Sequence, residues 1–282
     1  MSQQNSSDLL AQLTLGKQTQ YATQYDPNLL QAVPRAMSRA TLGDNVPELT
    51  GVDIWTGYEV SWLEASGKPV VKIAEFEFNA QSDNLIESKS FKLYLNSFNQ
   101  SQFNNDNQVA QIMQKDLSQV SGYEVKVKLF SLADYTAKGI SELPGELIDD
   151  LPVTISDYEY SADKLKPAEN STIVTETLNS HLLKSNCLVT NQPDWGSVCI
   201  SYTGPKIDHA SLLTYIIGFR NHNEFHEHCV ERIYTDINEK FKPQSLLVYA
   251  RYTRRGGLDI NPVRVSDTQL LSGLSWHRLA RQ

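Results

Sequence analysis

The sequence predicts an α+β protein built as two tandem, mainly antiparallel modules, and three observations predict it. Apolar residues alternate with period two on both sides of a proline-bearing connector, as in half-buried strands. After each strand region the apolar spacing changes to three or four, as on a helix face. A constant offset of 140 also carries Trp55 onto Trp195, Ser61 onto Ser201 and Glu87 onto Glu227, which suggests an internal repeat.

Taken in order, residues 1–45 are polar, with short apolar stretches at Leu9 to Leu15 and Leu29 to Val33 and prolines at 27 and 34, and predict an arm that packs on a body. A first module is expected over 46–137. Trp55 opens TGYEVSWLEASGKP, a strand; the next strand is VKIAEFEFN, where Ile73, Glu75 and Glu77 face away from Ala74, Phe76 and Phe78. Phe91, Leu95 and Phe98 then mark a helix beginning at Glu87. Val109, Ile112, Met113 and Leu117 mark another, and GYEVKVKLFSL (122–132) returns to strand. The connector, 138–174, carries Pro144, Pro152 and Pro167 and an acidic run from Glu146 to Asp150. A second module is expected over 175–282: a strand opened by Trp195, then LLTYIIGFRN as the second strand, then a helix from Glu227 with Val230, Ile233 and Ile237 inward, and LLVYARYTRR (246–255) as the closing strand. Sheets of this kind leave open edges, so pairing with a second copy is expected.

Composition narrows the function. The 282 residues carry a formal charge of -8, which argues against a phosphate-backbone surface for nucleic acid. The charge is uneven, because the segment from Arg251 onward has six arginines against two aspartates and could receive a small anion. Three cysteines without CxxC spacing suggest neither a disulfide framework nor a zinc ribbon, and point to a reducing compartment. No cationic stretch followed by an apolar one opens the sequence, and no run of about 18 apolar residues occurs, so a cytoplasmic protein without a membrane partner is expected.

Several residues could carry chemistry. Cys187 lies in NCLVTNQPDWG, with Asp194 seven positions on across a turn-forming Asn-Gln-Pro; a thiolate beside a proton-shuttling carboxyl is one reading, and an inert cysteine followed by a turn aspartate is the other. His222 to Cys229 is dense in possible metal ligands but lacks HExxH and any partner pair at zinc-like spacing, so no metal is expected. His226 and Glu227, at a helix start, could instead face a pocket, where a carboxylate suits the two N–H donors of a guanine-like edge. Glu87-Ser88-Lys89-Ser90 begins a helix whose N–H groups favour an anion, with Ser88 or Ser90 as cap. No GxGxxG follows a strand, so a dinucleotide would have to be held otherwise, for instance by Arg254 and Arg255 beside Gly256 and Gly257.

Together, ESKSFKLYLNSF (87–98), CLVTNQPDWGSV (187–198), FHEHCVERI (225–233) and RRGGLDINP (254–262) closely resemble the NADPH-dependent 7-cyano-7-deazaguanine reductases, the nitrile reductases of the queuosine pathway, in their long two-module form. The resemblance implies the tunnelling fold, with antiparallel sheets completed into barrels between subunits, and a homodimer. It assigns Cys187 as the nucleophile that forms a covalent thioimide with 7-cyano-7-deazaguanine, and Asp194 as the proton donor to the nitrile nitrogen. Ile86, Glu87, Ser88, His226 and Glu227 would bind the ring, with His226 also aiding proton delivery. Ser88, Lys89, Arg255 and Gly256 would hold NADPH, two of which are consumed per nitrile, and no metal is required. Two other readings stay open on the residues: a thiol-dependent nitrile hydrolase using Cys187, a carboxylate and Lys89, and a purine- or pterin-binding protein without turnover.

Overall fold

The structure, a computed structural model, describes residues 21–170, 172–274 and 277–282; the apolar stretch from Leu9 to Leu15 lies outside them. The chain divides into two compact units: Met1–Thr41 with Ile54–Gly139 and Arg254–Asp259, and Leu42–Asp53 with Ile140–Thr253 and Ile260–Gln282.

In the first unit the arm contributes β1 (Ala32–Pro34) and α1 (Arg35–Arg39), followed by β2 (Thr50–Leu63, whose first four residues belong to the second unit), β3 (Pro69–Asn79) and β4 (Asn84–Ile86). After these come α2 (Ser88–Ser97), α3 (Asp106–Ser121), β5 (Lys126–Phe130) and α4 (Leu132–Ala137). The alternation in β3 sends Ala74, Phe76 and Phe78 inward, where Phe91 of α2 meets Phe76 at 4.9 Å and Trp55 at 5.2 Å between ring centroids. Helix α3 is bounded as its sequence dictates: Asn105 caps its start by accepting from the Gln108 amide at 3.0 Å, and Gly122 ends it at φ +79°. The arm is fastened by polar contacts as well as apolar ones. β1 pairs antiparallel with β4, and the Tyr25 hydroxyl donates to Asp116 at 2.6 Å, beside the Tyr94 hydroxyl at 2.7 Å.

The second unit holds β6 (Glu146–Leu147), β7 (Ile173–Ser180), β8 (Lys184–Asn186), β9 (Pro193–Pro205), α5 (His209–Ile217), α6 (His226–Phe241), β10 (Ser245–Tyr252) and β11 (Leu258–Val265, whose first two residues belong to the first unit). Its strand order is β11-β10-β9-β7-β6, antiparallel except for β6 on β7, with β8 paired to the start of β9. Leu212, Leu213 and Ile216 of α5 and Val230, Ile233 and Ile237 of α6 pack in one core with Val198, Ile200 and Tyr202 of β9.

LLTYIIGFRN is therefore not a strand. It forms α5 and the 3-10 turn Gly218–Asn221, started by Asp208, whose carboxylate accepts from the Ser211 amide at 2.7 Å. Leu212, Leu213, Tyr215 and Ile216 are all buried, so apolar residues wrap the helix and hide its period. The offset of 140 consequently lays strand β3 over helix α5 and is not the structural repeat. What repeats is element order, a strand pair followed by two helices and a further strand.

Arg264 of β11 is fully buried, with one nitrogen 2.7 Å from Asp53 and another 2.7 Å from Glu231 of α6. Arg264→Met should lower stability by about 3–5 kcal/mol, because it removes the buried cation that faces two buried carboxylates. A urea midpoint within error of the unmodified protein would show that the pairing contributes nothing.

Candidate active site

Helix α6 begins without an ordinary cap, since Phe225 at its N-cap has no side-chain acceptor. Glu224, one residue earlier, instead gathers side chains from either side of the helix start. Its carboxylate accepts from Arg232 Nε at 2.6 Å, contacts a second Arg232 nitrogen, and lies 3.1 Å from both His222 Nε2 and His228 Nδ1. Burial alone would raise the Glu224 carboxyl, but the hydrogen bonds from His222, His228 and Arg232 outweigh it and hold the group well below the usual carboxylate range.

The same segment is joined by backbone to the end of β8. The Asn186 amide donates to the His222 carbonyl at 2.8 Å, and the Glu224 amide donates to the Asn186 carbonyl at 3.1 Å. Asn223 extends the seam, its Nδ2 donating to the Cys187 carbonyl at 3.3 Å and to Asn191 Oδ1 at 2.9 Å. Cys187 thus follows directly on a fixed strand end and opens the loop to β9. That loop closes on itself: the Cys187 amide donates to the Gln192 carbonyl at 2.8 Å, and the Asn191 amide donates back to the Cys187 carbonyl at 3.0 Å, with Asn191 at φ +55°.

Across the hairpin, Ser185 opposes Asp194 in register, which sets the carboxyl side chain two residues from Cys187 along the strand. Asp194 is buried and its Oδ1 lies 3.2 Å from His226 Nε2. The His226 ring stacks flat on Tyr252 of β10, with centroids 3.9 Å apart and planes 7° from parallel. Its Nδ1 is buried and makes no hydrogen bond among the described residues. Burial above all raises the Tyr252 hydroxyl well above its ordinary value, so that ring remains a neutral shelf for the imidazole. Glu227, the next residue of α6, is also buried.

The three cysteines separate by place. Cys199 sits inside β9, where burial pushes its thiol up to about 12, and Cys229 lies inside α6, where burial raises it further. Cys187 alone of the three lies in a loop. No group of three or more His, Cys, Asp or Glu side chains is placed to hold a metal among the described residues. Of the histidines in that segment, His222 and His228 contact Glu224 and His226 contacts Asp194.

In the first unit, Ile86 ends β4, and Glu87 rather than Ser88 or Ser90 caps α2: its carboxylate accepts from the Lys89 and Ser90 amides at 2.7 Å each. Ser90 turns its hydroxyl onto the Glu87 carbonyl at 2.7 Å and accepts from the Gln31 amide at 3.0 Å. The amides expected to seat an anion are occupied by this carboxylate. Arg255 to Leu258 form a two-residue hairpin turn, with reciprocal backbone bonds of 2.9 and 3.3 Å and φ of +61° and +77° at Gly256 and Gly257. Positive φ at both central positions accounts for the glycine pair. Gly256 borders a small cavity lined also by Glu59, Lys92 and Asn96.

Two family descriptions match the chain: nitrile reductase, 7-cyano-7-deazaguanine-reductase N-term, over residues 21–129, and QueF-like protein, over residues 193–270. The chain belongs to the QueF family, as a protein with two modules. It is on that footing a nitrile reductase of the queuosine pathway acting on a small molecule, and it needs a reductant. The architecture is mixed α+β, with mainly antiparallel sheets and helices. Among solved structures, the archaeosine synthase QueF-Like in the apo form aligns with 35% of this chain and 96% of its own, at 15% identity and a TM-score of 0.30. No helix among the described residues is long and apolar enough to cross a membrane.

Sequence reasoning reached Cys187, Asp194 and His226 but missed Asn186, Asn223, Glu224 and Tyr252. The spacing Glu224-x3-His228-x3-Arg232, in which His228 and Arg232 stack one helical turn apart and Glu224 precedes them by the same step, is the signal that could have found the Glu224 cluster. Because folding depresses the Glu224 carboxyl from 4.5, its stabilisation is complete above that value and is lost as pH falls through the lower folded-state value. Glu224→Gln should lower stability at neutral pH and flatten the acid limb of a plot of urea midpoint against pH. An acid limb of unchanged steepness would count against the cluster.

Proposed function

We propose that this chain reduces 7-cyano-7-deazaguanine to 7-aminomethyl-7-deazaguanine with NADPH, through a thioimide on Cys187. The observation that carries the reading is the hairpin of β8 and β9, which presents Cys187 in a closed loop and holds Asp194 in contact with His226. The Cys187 thiolate adds to the nitrile carbon, forming the C–S bond as the π pair moves to nitrogen. Asp194 in its protonated form delivers the proton that nitrogen then takes up, and His226, at 3.2 Å, replenishes it. Tyr252 keeps the imidazole plane fixed while the proton moves. When the C–S bond later breaks, Cys187 leaves as thiolate and is restored.

Ring recognition falls to Ile86, Glu87, Ser88, His226 and Glu227, the buried carboxylates accepting N–H donors of the deazaguanine edge. In this reading Glu87 shares its oxygens between substrate and the α2 amides. Ser88, Lys89, Arg255 and Gly256 hold NADPH. The fit is supported at Gly256, where a Cβ would come within 3.3 Å of the Lys92 side chain, so the bare backbone leaves room for a phosphate beside an ammonium. NADPH supplies hydride, two per nitrile. The modules span 46–137 and 175–282, after an arm (1–45) and about a connector (138–174), and a cytoplasmic homodimer completes the barrels.

NADPH oxidation should depend on the nitrile at two NADPH per nitrile, and Cys187→Ala should abolish both oxidation and the covalent adduct while keeping nitrile affinity within about tenfold. Turnover by that variant, or ammonia release without NADPH by the unmodified protein, would refute the reading. Asp194→Asn should slow adduct formation in a single turnover, since an amide cannot give up the proton; equal adduct rates would remove Asp194 from that role.

A further inference from the structure

The proposed chemistry uses Asp194 and His226 but leaves unexplained why a buried glutamine and an arginine far along the chain land on the strands that carry them. Gln282 is buried, and its Nε2 donates to the Tyr252 carbonyl at 3.2 Å and to Asn261 Oδ1 at 2.7 Å, while its Oε1 accepts from the Leu279 amide at 3.0 Å. Beside it, Arg281 Nη2 lies 2.7 Å from the Gly196 carbonyl, 2.8 Å from Ser197 Oγ and 2.9 Å from the His181 carbonyl. The segment is itself held, since the Arg278 carbonyl accepts from the Ser141 amide at 3.0 Å and its guanidinium contacts the Gln282 carbonyl.

The two landing points are one rung of the sheet. Gly196 and Tyr252 are register partners at the end of the β9–β10 ladder, and a Cβ on Gly196 would sit 3.2 Å from the Tyr252 ring. Next to that rung, the Thr253 amide donates to the Trp195 carbonyl at 2.9 Å, and Asp194 is the residue of β9 just before Trp195. Arg281 therefore holds the strand two residues from Asp194, and Gln282 holds the residue whose ring stacks on His226. A ladder end frays more readily than its middle, and the geometry of a proton donor is sensitive to small displacements.

We propose that Arg281 and Gln282 are positioning residues, which lock the Gly196–Tyr252 rung and so keep Asp194 and the His226 imidazole in the arrangement that delivers protons. The inference rests on the function proposed above. It predicts a larger loss in the protonation-dependent step than in ring binding, to which His226 is one of five contributors.

The test compares the unmodified protein with Gln282→Ala, Arg281→Ala and Gln282→Glu; the last keeps the side chain's size and its acceptor for the Leu279 amide but removes the donor to Tyr252. Single-turnover adduct formation with 7-cyano-7-deazaguanine should slow by about tenfold or more in each. Nitrile affinity, measured with the same changes in a Cys187→Ala background, should fall by less than the adduct rate does, by no more than about threefold. The His226 imidazole nitrogen signals in NMR spectra of the ligand-free variants should be displaced. Folded variants with adduct rates within about twofold of the unmodified protein and unmoved His226 signals would overturn the proposal. If the unmodified protein forms no adduct, the failure belongs to the proposed function, and the His226 signals alone then decide the positioning role. If Gln282→Ala does not fold, Gln282→Glu carries the same decision.

Discussion

The site depends on one seam of backbone hydrogen bonds, in which Asn186 at the end of β8 pairs with His222 and Glu224 just ahead of α6. On one side of that seam the next residue is Cys187. On the other, two residues past Glu224, α6 begins with His226 and Glu227. A loop cysteine and a helix N-terminus are each mobile features in isolation, and loops and helix ends are where local opening costs least. Joined by the seam, they share a single frame, and the β8–β9 register then brings Asp194 into it.

The electrostatics of the second unit follow the same frame. Two buried ion clusters meet at α6: Glu224, just ahead of the helix, with Arg232 and two histidines, and Glu231, the residue before Arg232, with Arg264 of β11. Buried ions are costly, and each is retained here with several partners. Between them they fix the helix along its axis and about it. Asp194, His226 and Tyr252 form a third polar group beside them, with His226 3.2 Å from Asp194 and stacked on the Tyr252 ring.

Much of the fold was legible because the signals were local. The alternation of β3, the apolar face of α3 and the β10 run all read directly from the chain, since burial on one side imposes a period on the sequence. α5 was not legible, because Leu212, Leu213, Tyr215 and Ile216 are buried in near succession and read as the continuous apolar run of a buried strand. The same blindness made the offset of 140 look like a repeat. Cap identity was misread at α2 for a related reason: Glu87 is a less usual cap than the serines beside it, and only the backbone angle at the helix start selects it.

By itself the sequence determined the residue types that chemistry needs: a cysteine in a turn-rich segment, an aspartate seven positions on, a histidine and glutamate at a helix start, and a glycine pair whose positive φ values a tight hairpin demands. Tertiary structure decided which of these meet. Contacts such as Asp194 with His226, His226 with Tyr252, Arg281 with Gly196 and Gln282 with Tyr252 join residues 26 to 85 positions apart. No local periodicity encodes such pairs, because they are set by strand register and helix packing acting together, and a one-residue slip in β9 would turn Asp194 to the opposite face.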